Sequence, residues 1–329
     1  MRRYHFYFVI IAWVCSCLLF TGCDKAPSRL QEWMRPNGSI KILSTTAMID
    51  DIVSQIGKER VDHIALIDGE IDPHGYELVK GDDEKLSFAT LIFYNGLGLE
   101  HGASLRYALT RHPRAIALGN ILQERVPDLI LYVDKDIDPH IWMDISLWSQ
   151  IVDPIVEELS SIDPEGKEFY YQNAEQLKAK MREEHGAIIE AFAQIPQQKR
   201  YLVTSHDAFN YFARAYLATS EESAQQWEAR FNAPEGLAPE GQLSTRDIQH
   251  IVEHLIHYQI RIVFPESNIS PDSLKKIVHA CRQKGLEVEI CSSPLYGDAM
   301  GNRGSHAENY LNMIRHNAEV MMREWKKER

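Results

Sequence analysis

The chain has 329 residues, of which 14 are His and five are Cys, and its formal net charge is −12 at pH 7. That acidity argues against nucleic acid or anionic membrane surfaces as partners and is compatible with attracting a cation. A chain of this length exceeds what one core usually occupies, so two domains are expected.

Residues 1–22 combine a basic start at Arg2 and Arg3 with an apolar run from Phe6 to Phe20 and then Thr21-Gly22. The run is shorter than the ~20 residues of a membrane span, and small residues follow it, so it reads as a secretory signal peptide. The ending FTGC resembles a bacterial lipobox with Cys23 as the lipidated residue. Phe20 stands where Leu is usual, so cleavage without a lipid stays open. The expected location is periplasmic, either lipid-anchored or free. Losing Arg2 and Arg3 makes the mature chain two units more negative. Residues 23–38 are rich in turn formers and read as a tether. Cys281 and Cys291 then remain as a pair in an oxidising compartment, either bridged or buried as thiols.

A βα series follows. IKILST (40–45) reads as a strand and AMIDDIVSQIG as a helix closed by Gly57. VDHIALI, TLIFYN and DLILYVD read as further strands, and Asp144 to about Ser160 as an amphipathic helix. The alternation predicts an α/β fold with a largely parallel sheet. From Pro164 to Ile195 no strand signal occurs. Asp163 caps a long helix with Pro164 at its first position, and Pro196 stops it. Gly186 is its one weak point. The helix reads as a connector between two lobes, outside either core, which divides the chain into residues 39–163, 164–196 and 197–329. The second lobe repeats the texture: RYLVTS, IRIVFPE and LEVEICSS as strands, HDAFNYFARAYL, TRDIQHIVEHLIHYQ and PDSLKKIVHACRQKG as helices, and a last helix from about Ser305.

Asp-Pro-His occurs twice, as DPHGYE from Asp72 and DPHIWMD from Asp138. Proline fixes its own φ and biases its predecessor toward extended geometry, so His74 and His140 are both presented in defined, non-helical positions. Each follows a β-rich run, the edge at which open α/β sheets bind ligands. YLVTSHDAF puts His206 in the same setting. One His at a strand end is ordinarily a hydrogen-bonded structural residue. Three in matched settings point to a shared metal site between the lobes. For a carboxylate ligand, Asp298 in SSPLYGDAMG competes with Glu266 in FPESN, and pattern alone leaves the two open. Three imidazoles and a carboxylate without Cys suit a borderline divalent ion. Asp72, Asp138 and Asp207 are candidates to orient an imidazole N–H, with at least one of them expected to be a solvated loop carboxylate.

His250, His254 and His257 share a helix whose apolar stripe lies opposite, and they are expected on its solvent face. An enzyme is disfavoured: no HExxH, GxSxG, P-loop or GxGxxG occurs, GLGLEHG has the wrong glycine spacing, and four protein ligands would close the open position that a catalytic zinc needs.

LIFYNGLGLEHG, DPHIWMD, TSHDAFNYFARAY, APEGLAPEGQLST, IRIVFPE and YGDAMG, taken in order with the long central helix, resemble the metal-binding receptors of bacterial ABC importers, the TroA/ZnuA-like cluster A-I family. The resemblance covers nearly the whole mature chain. It implies metal ligands at His74, His140, His206 and Asp298, with Fe(II) or Mn(II) favoured as transported ion and Zn(II) also compatible. The stretch KGDDEKLSFAT lacks the His-rich loop usual in zinc-dedicated members. It further implies a monomer that delivers metal to a membrane permease driven by a cytoplasmic ATPase, with small lobe shifts on binding. The remaining readings are a surface adhesin-type lipoprotein with a structural metal and, behind it, a zinc-dependent hydrolase.

Overall fold

The computed structural model describes residues 28–133, 135–239 and 243–327; the signal segment and Cys23 lie outside them. The chain divides into two units, residues 1–37 and 38–329. In the first, the expected tether carries a short helix, Arg29–Trp33. Ser28 Oγ accepts from the Gln31 amide, and Gln31 Oε1 accepts from the Ser28 amide, a reciprocal cap that offsets the polar composition.

In the second unit the first half is built on a parallel sheet of order β2-β1-β3-β4, comprising β1 (Ile40–Thr46), β2 (Val61–Ile67), β3 (Leu91–Tyr94) and β4 (Ala115–Ala117). β1 pairs with a strand on either side, and both of its faces are covered, so it reads as an almost continuous buried run. The helix Ala47–Gly57 matches its expected bounds. Thr46 caps it, and Met48, Ile49, Ile52, Val53 and Ile56 form its buried stripe.

DLILYVD departs from expectation. Residues Pro127–Leu129 are a 3-10 turn, and only Tyr132–Val133 (β5) is a strand, paired antiparallel with Asp136–Ile137 (β6). The run's backbone groups find other partners: Ile130 N–H donates to Pro127 O, and Leu131 N–H to the Tyr211 hydroxyl. His140 therefore leaves a two-stranded ribbon, whereas His74 lies in the loop after β2.

In the second half, β7 (Leu202–Val203) pairs parallel with β8 (Phe231–Asn232), and β9 (Ile262–Val263) with β10 (Glu289–Ile290). A bond from Phe264 N to Val203 O, 2.8 Å, joins the two pairs. β7, β9 and β10 are shorter than the runs RYLVTS, IRIVFPE and LEVEICSS that contain them, and β8 lies in a stretch with no apolar run to announce it. The helix expected from His206 begins only at Asn210 and passes into a π-helical turn, Ala213–Leu217, after the extended segment bearing His206 bridges to Glu235.

The long helix spans Lys167–Ala193 after a 3-10 turn at Pro164–Gly166, and runs unbroken through Gly186. At 1.5 Å per residue it is about 40 Å long. It is not external to the core, as expected of a connector. Tyr170, Leu177, Met181, Ile188 and Phe192 are buried in the main hydrophobic cluster, which also includes Ile52 and Trp148 from the first half and Phe212 and Trp325 from the second. A smaller cluster lies between β7, β9 and the helices Thr245–His257 and Asp272–Gln283. Cys281 is buried there and Cys291 in the main cluster, both as free thiols.

Candidate metal centre

The loops after β2, β6, β7 and β10 bring together the side chains of His74, His140, His206 and Asp298, with one ligand atom from each lying within 4.8 Å of the others. His74 is 1 % exposed, His140 and His206 0 %, and Asp298 3 %. The Nε2 atoms of His74 and His140 are 3.2 Å apart. Asp298 Oδ1 is 3.4 Å from His140 Nε2, and its Oδ2 is 3.0 Å from His206 Nε2 and 3.7 Å from His74 Nε2. Four donors at ~2.1 Å from a tetrahedral ion are about 3.4 Å from each other. The distances just given, 3.0 to 3.7 Å, bracket that spacing. Both Asp298 oxygens and His206 Nε2 are buried without a well-aligned hydrogen bond. Such groups are costly unless a charge satisfies them, and a cation fits this donor set.

Each loop is fixed by further groups. Asp138 Oδ1 is 2.7 Å from His140 Nδ1 and also accepts the His140 amide, so Nε2 faces the cluster. Glu266 stands in the equivalent place behind His206: Oε2 is 2.7 Å from Nδ1, close but without well-aligned hydrogen-bond geometry, and Oε1 accepts the amides of Ser205 and His206. Asp72 is bonded to the backbone amide of His74. Asp207 is half-buried; it accepts from Asn210 Nδ2, which also donates to Asp138 Oδ2, and burial pushes its pKa up to about 6.

The segment NGLGLEH has a structural task that composition did not show. Glu100 is buried, accepts the amides of Asn95 and Gly96 and the Thr45 hydroxyl, and is pushed above its ordinary pKa by desolvation. Asn95 Nδ2 then donates to Pro139 O, and the amides of His101 and Gly102 donate to His74 O. One loop thereby fixes the backbone on which both Asp-Pro-His histidines are carried. A Cβ on Gly102 would lie 2.1 Å from Tyr76 O, so this approach requires glycine. The Asp298 loop is tied across the cleft by Trp142 Nε1, which donates to Gly297 O at 2.9 Å.

Charge follows this geometry. Burial works against a proton on His140, but Asp138 and Asp298 outweigh it and raise the pKa to about 9. Burial likewise opposes protonation of His206, and Asp298 and Glu266 again prevail, raising it. In His74 burial dominates and lowers it. Asp298 is held well below the usual carboxylate range, because His206 and the other imidazoles outweigh its desolvation.

The second histidine group departs from expectation in part. His250 and His257 are exposed, but His254 is half-buried beside the rings of Tyr201 and Tyr258, and desolvation lowers its pKa to about 4. The apolar stripe of that helix is wider than its aliphatic residues alone, because two tyrosines extend it.

Two α/β halves with parallel strands, sharing a long helix and converging loops on a buried three-His, one-Asp cluster, define an extracytoplasmic metal-receptor architecture. The chain belongs to the family described as zinc-uptake complex component A, periplasmic, whose model matches residues 42–323. It is similar to the metal-binding protein YtgA of Chlamydia muridarum, with 38% identity over 98% of this chain and 96% of that protein. The manganese-binding lipoprotein MntA of Bacillus subtilis is 30% identical over 86% of this chain and 88% of that protein. The crystal structure of Fe(III)-bound YtgA from Chlamydia trachomatis superimposes with a TM-score of 0.82 at 39% identity, over 88% of this chain and 98% of that one. The family is one of metal-binding transport receptors rather than enzymes. Among the described residues no helix is long and apolar enough to cross a membrane.

Proposed function

We propose that this protein captures one divalent transition metal in the periplasm, through His74 Nε2, His140 Nε2, His206 Nε2 and the Asp298 carboxylate, and delivers it to the permease of an ABC importer. The observation that carries this reading is the buried Asp298 carboxylate facing three imidazoles at ligand-to-ligand spacing. Iron and manganese are the favoured ions and zinc is also compatible: the relatives' names carry iron and manganese, the family's carries zinc, and imidazole with carboxylate suits all three. Four protein donors leave no position for an activated water, which supports a carrier over a hydrolase. The receptor acts as a monomer, with lobes at 39–163 and 197–329 and residues 164–196 between them. Lipid on Cys23 would hold it near its permease and raise its effective concentration there.

The test is anaerobic competition titration of the mature protein with Fe(II), Mn(II) and Zn(II). One ion per chain is expected, with affinity reduced more than about tenfold in His140→Ala while secondary structure is retained. Unchanged binding in that variant would remove His140 from the site. An adhesin would instead bind host protein after all four ligands are replaced, and metal-dependent hydrolysis lost with the ligands would indicate an enzyme.

A further inference from the structure

Asp138 is held from the second half of the chain at two points. Asn210 Nδ2 donates to its Oδ2 at 3.0 Å, and the Tyr211 hydroxyl donates to its backbone carbonyl at 3.0 Å. These are consecutive residues of the short helix Asn210–Phe212, 72 and 73 positions along the chain from Asp138. The other carboxylate oxygen, Oδ1, meets His140 Nδ1 at 2.7 Å and accepts the His140 amide. The Asp138 carboxylate thus stands between Asn210 and the imidazole of a clustered histidine. It is 0 % exposed, so protein donors rather than bulk water orient it.

Asn210 has a second acceptor. The same Nδ2 donates to Asp207 Oδ1 at 2.8 Å, and Asp207 directly follows His206. One amide nitrogen therefore joins the carboxylate behind His140 to the segment that carries His206. The residue type suits this position. An amide nitrogen has two N–H donors and no charge, so it serves two carboxylate oxygens at once. An aspartate there would offer only acceptors when ionised, and a hydroxyl only one proton.

We infer that Asn210 is a positioning residue for metal capture: it holds Asp138 in the orientation that presents His140 Nε2 to the ion, and ties that orientation to the His206 segment across the cleft. The inference rests on the four-ligand reading above and deepens it, because the aim of a first-half ligand is then set by the second half of the chain.

The test is a double-mutant cycle on the mature protein, read by competition titration with Zn(II) and, separately, Mn(II). Asn210→Ala should weaken binding about three- to tenfold, and Asn210→Leu, which keeps the volume without the donors, about as much. With Asp138→Asn already in place, Asn210→Ala should cost less than about twofold more, because its effect passes through that carboxylate. In the metal-free protein the Nδ1–H proton resonance of His140 should shift or broaden in Asn210→Ala while far-UV circular dichroism is unchanged. Wild-type affinity in Asn210→Ala, or an unmoved His140 resonance, would overturn the inference. Recovery of affinity in Asn210→Leu would do the same by assigning Asn210 a packing role, as would a full, additive loss in the double variant. His140→Ala is titrated alongside. If it binds like wild type, the four-ligand reading fails and the inference with it; if it is weakened while Asn210→Ala is not, only the inference fails.

Discussion

Glu266 holds His206 from behind: its Oε2 lies 2.7 Å from His206 Nδ1, on the side of the ring opposite Asp298, while its Oε1 accepts the Ser205 and His206 amides. The two carboxylates that compete in the sequence thus occupy different sides of one imidazole. Glu266→Gln keeps the shape and weakens the orientation of His206, so metal affinity should fall about 10- to 100-fold. Asp298→Ala removes the anionic donor and should fall further. Competition titration of both variants checks the order; an equal or reversed order would reassign the ligand.

Asp138 bears the same relation to His140, with both residues 0 % exposed. Asp138→Asn retains the hydrogen-bonding outline and loses the charge that stabilises a proton on Nδ1. We expect metal affinity reduced about tenfold or more with the far-UV circular dichroism unchanged.

Gly297 separates the Asp298 loop from Glu266. A Cβ there would meet Glu266 Oε2 at 2.2 Å and His206 Cε1 at 3.2 Å. Glu266 is held by two backbone amides and cannot swing aside without leaving them bare. Gly297→Ala should therefore displace His206, lowering affinity and costing about 1 to 3 kcal/mol of stability. Denaturant titration and metal competition on the same variant measure both.

Asp51 lies far from this site in sequence and links the helix Ala47–Gly57 to the C-terminal helix Tyr310–Lys326, accepting the Tyr310 amide at 3.2 Å. Burial raises its pKa from 3.8 to about 6. Between these values the folded state binds more protons than the unfolded one, so this carboxylate's contribution falls as pH rises through that window. Asp51→Asn keeps an acceptor and removes the charge. It should stabilise the protein by about 1 to 2 kcal/mol at pH 7 and leave stability near pH 4 unchanged, as read from urea titrations at the two pH values.

Much of this protein was legible in residue order. The apolar runs Ile40–Thr46 and Val61–Ile67 and the capped stripe of Ala47–Gly57 report local propensity and burial, which the chain states directly. The repeated Asp-Pro-His and the strand-end His206 are likewise local signals, because proline and strand ends constrain presentation within a few residues. What those signals omit is which distant group satisfies each polar atom. Tyr211, 80 residues from Leu131, takes the amide that a longer β5 would have used. Glu100 and Asn95 organise the two Asp-Pro-His loops, yet in sequence they are one more polar pair beside glycines. Likewise, the near-helical spacing of Leu177, Met181, Ile188 and Phe192 marks a buried stripe on the long helix, but not that both halves bury surface against it. The sequence by itself determined the α/β alternation and which imidazoles are presented from loops. Only the tertiary structure decided that Asp298 faces them and Glu266 stands behind, because that choice depends on where two loops meet across a cleft.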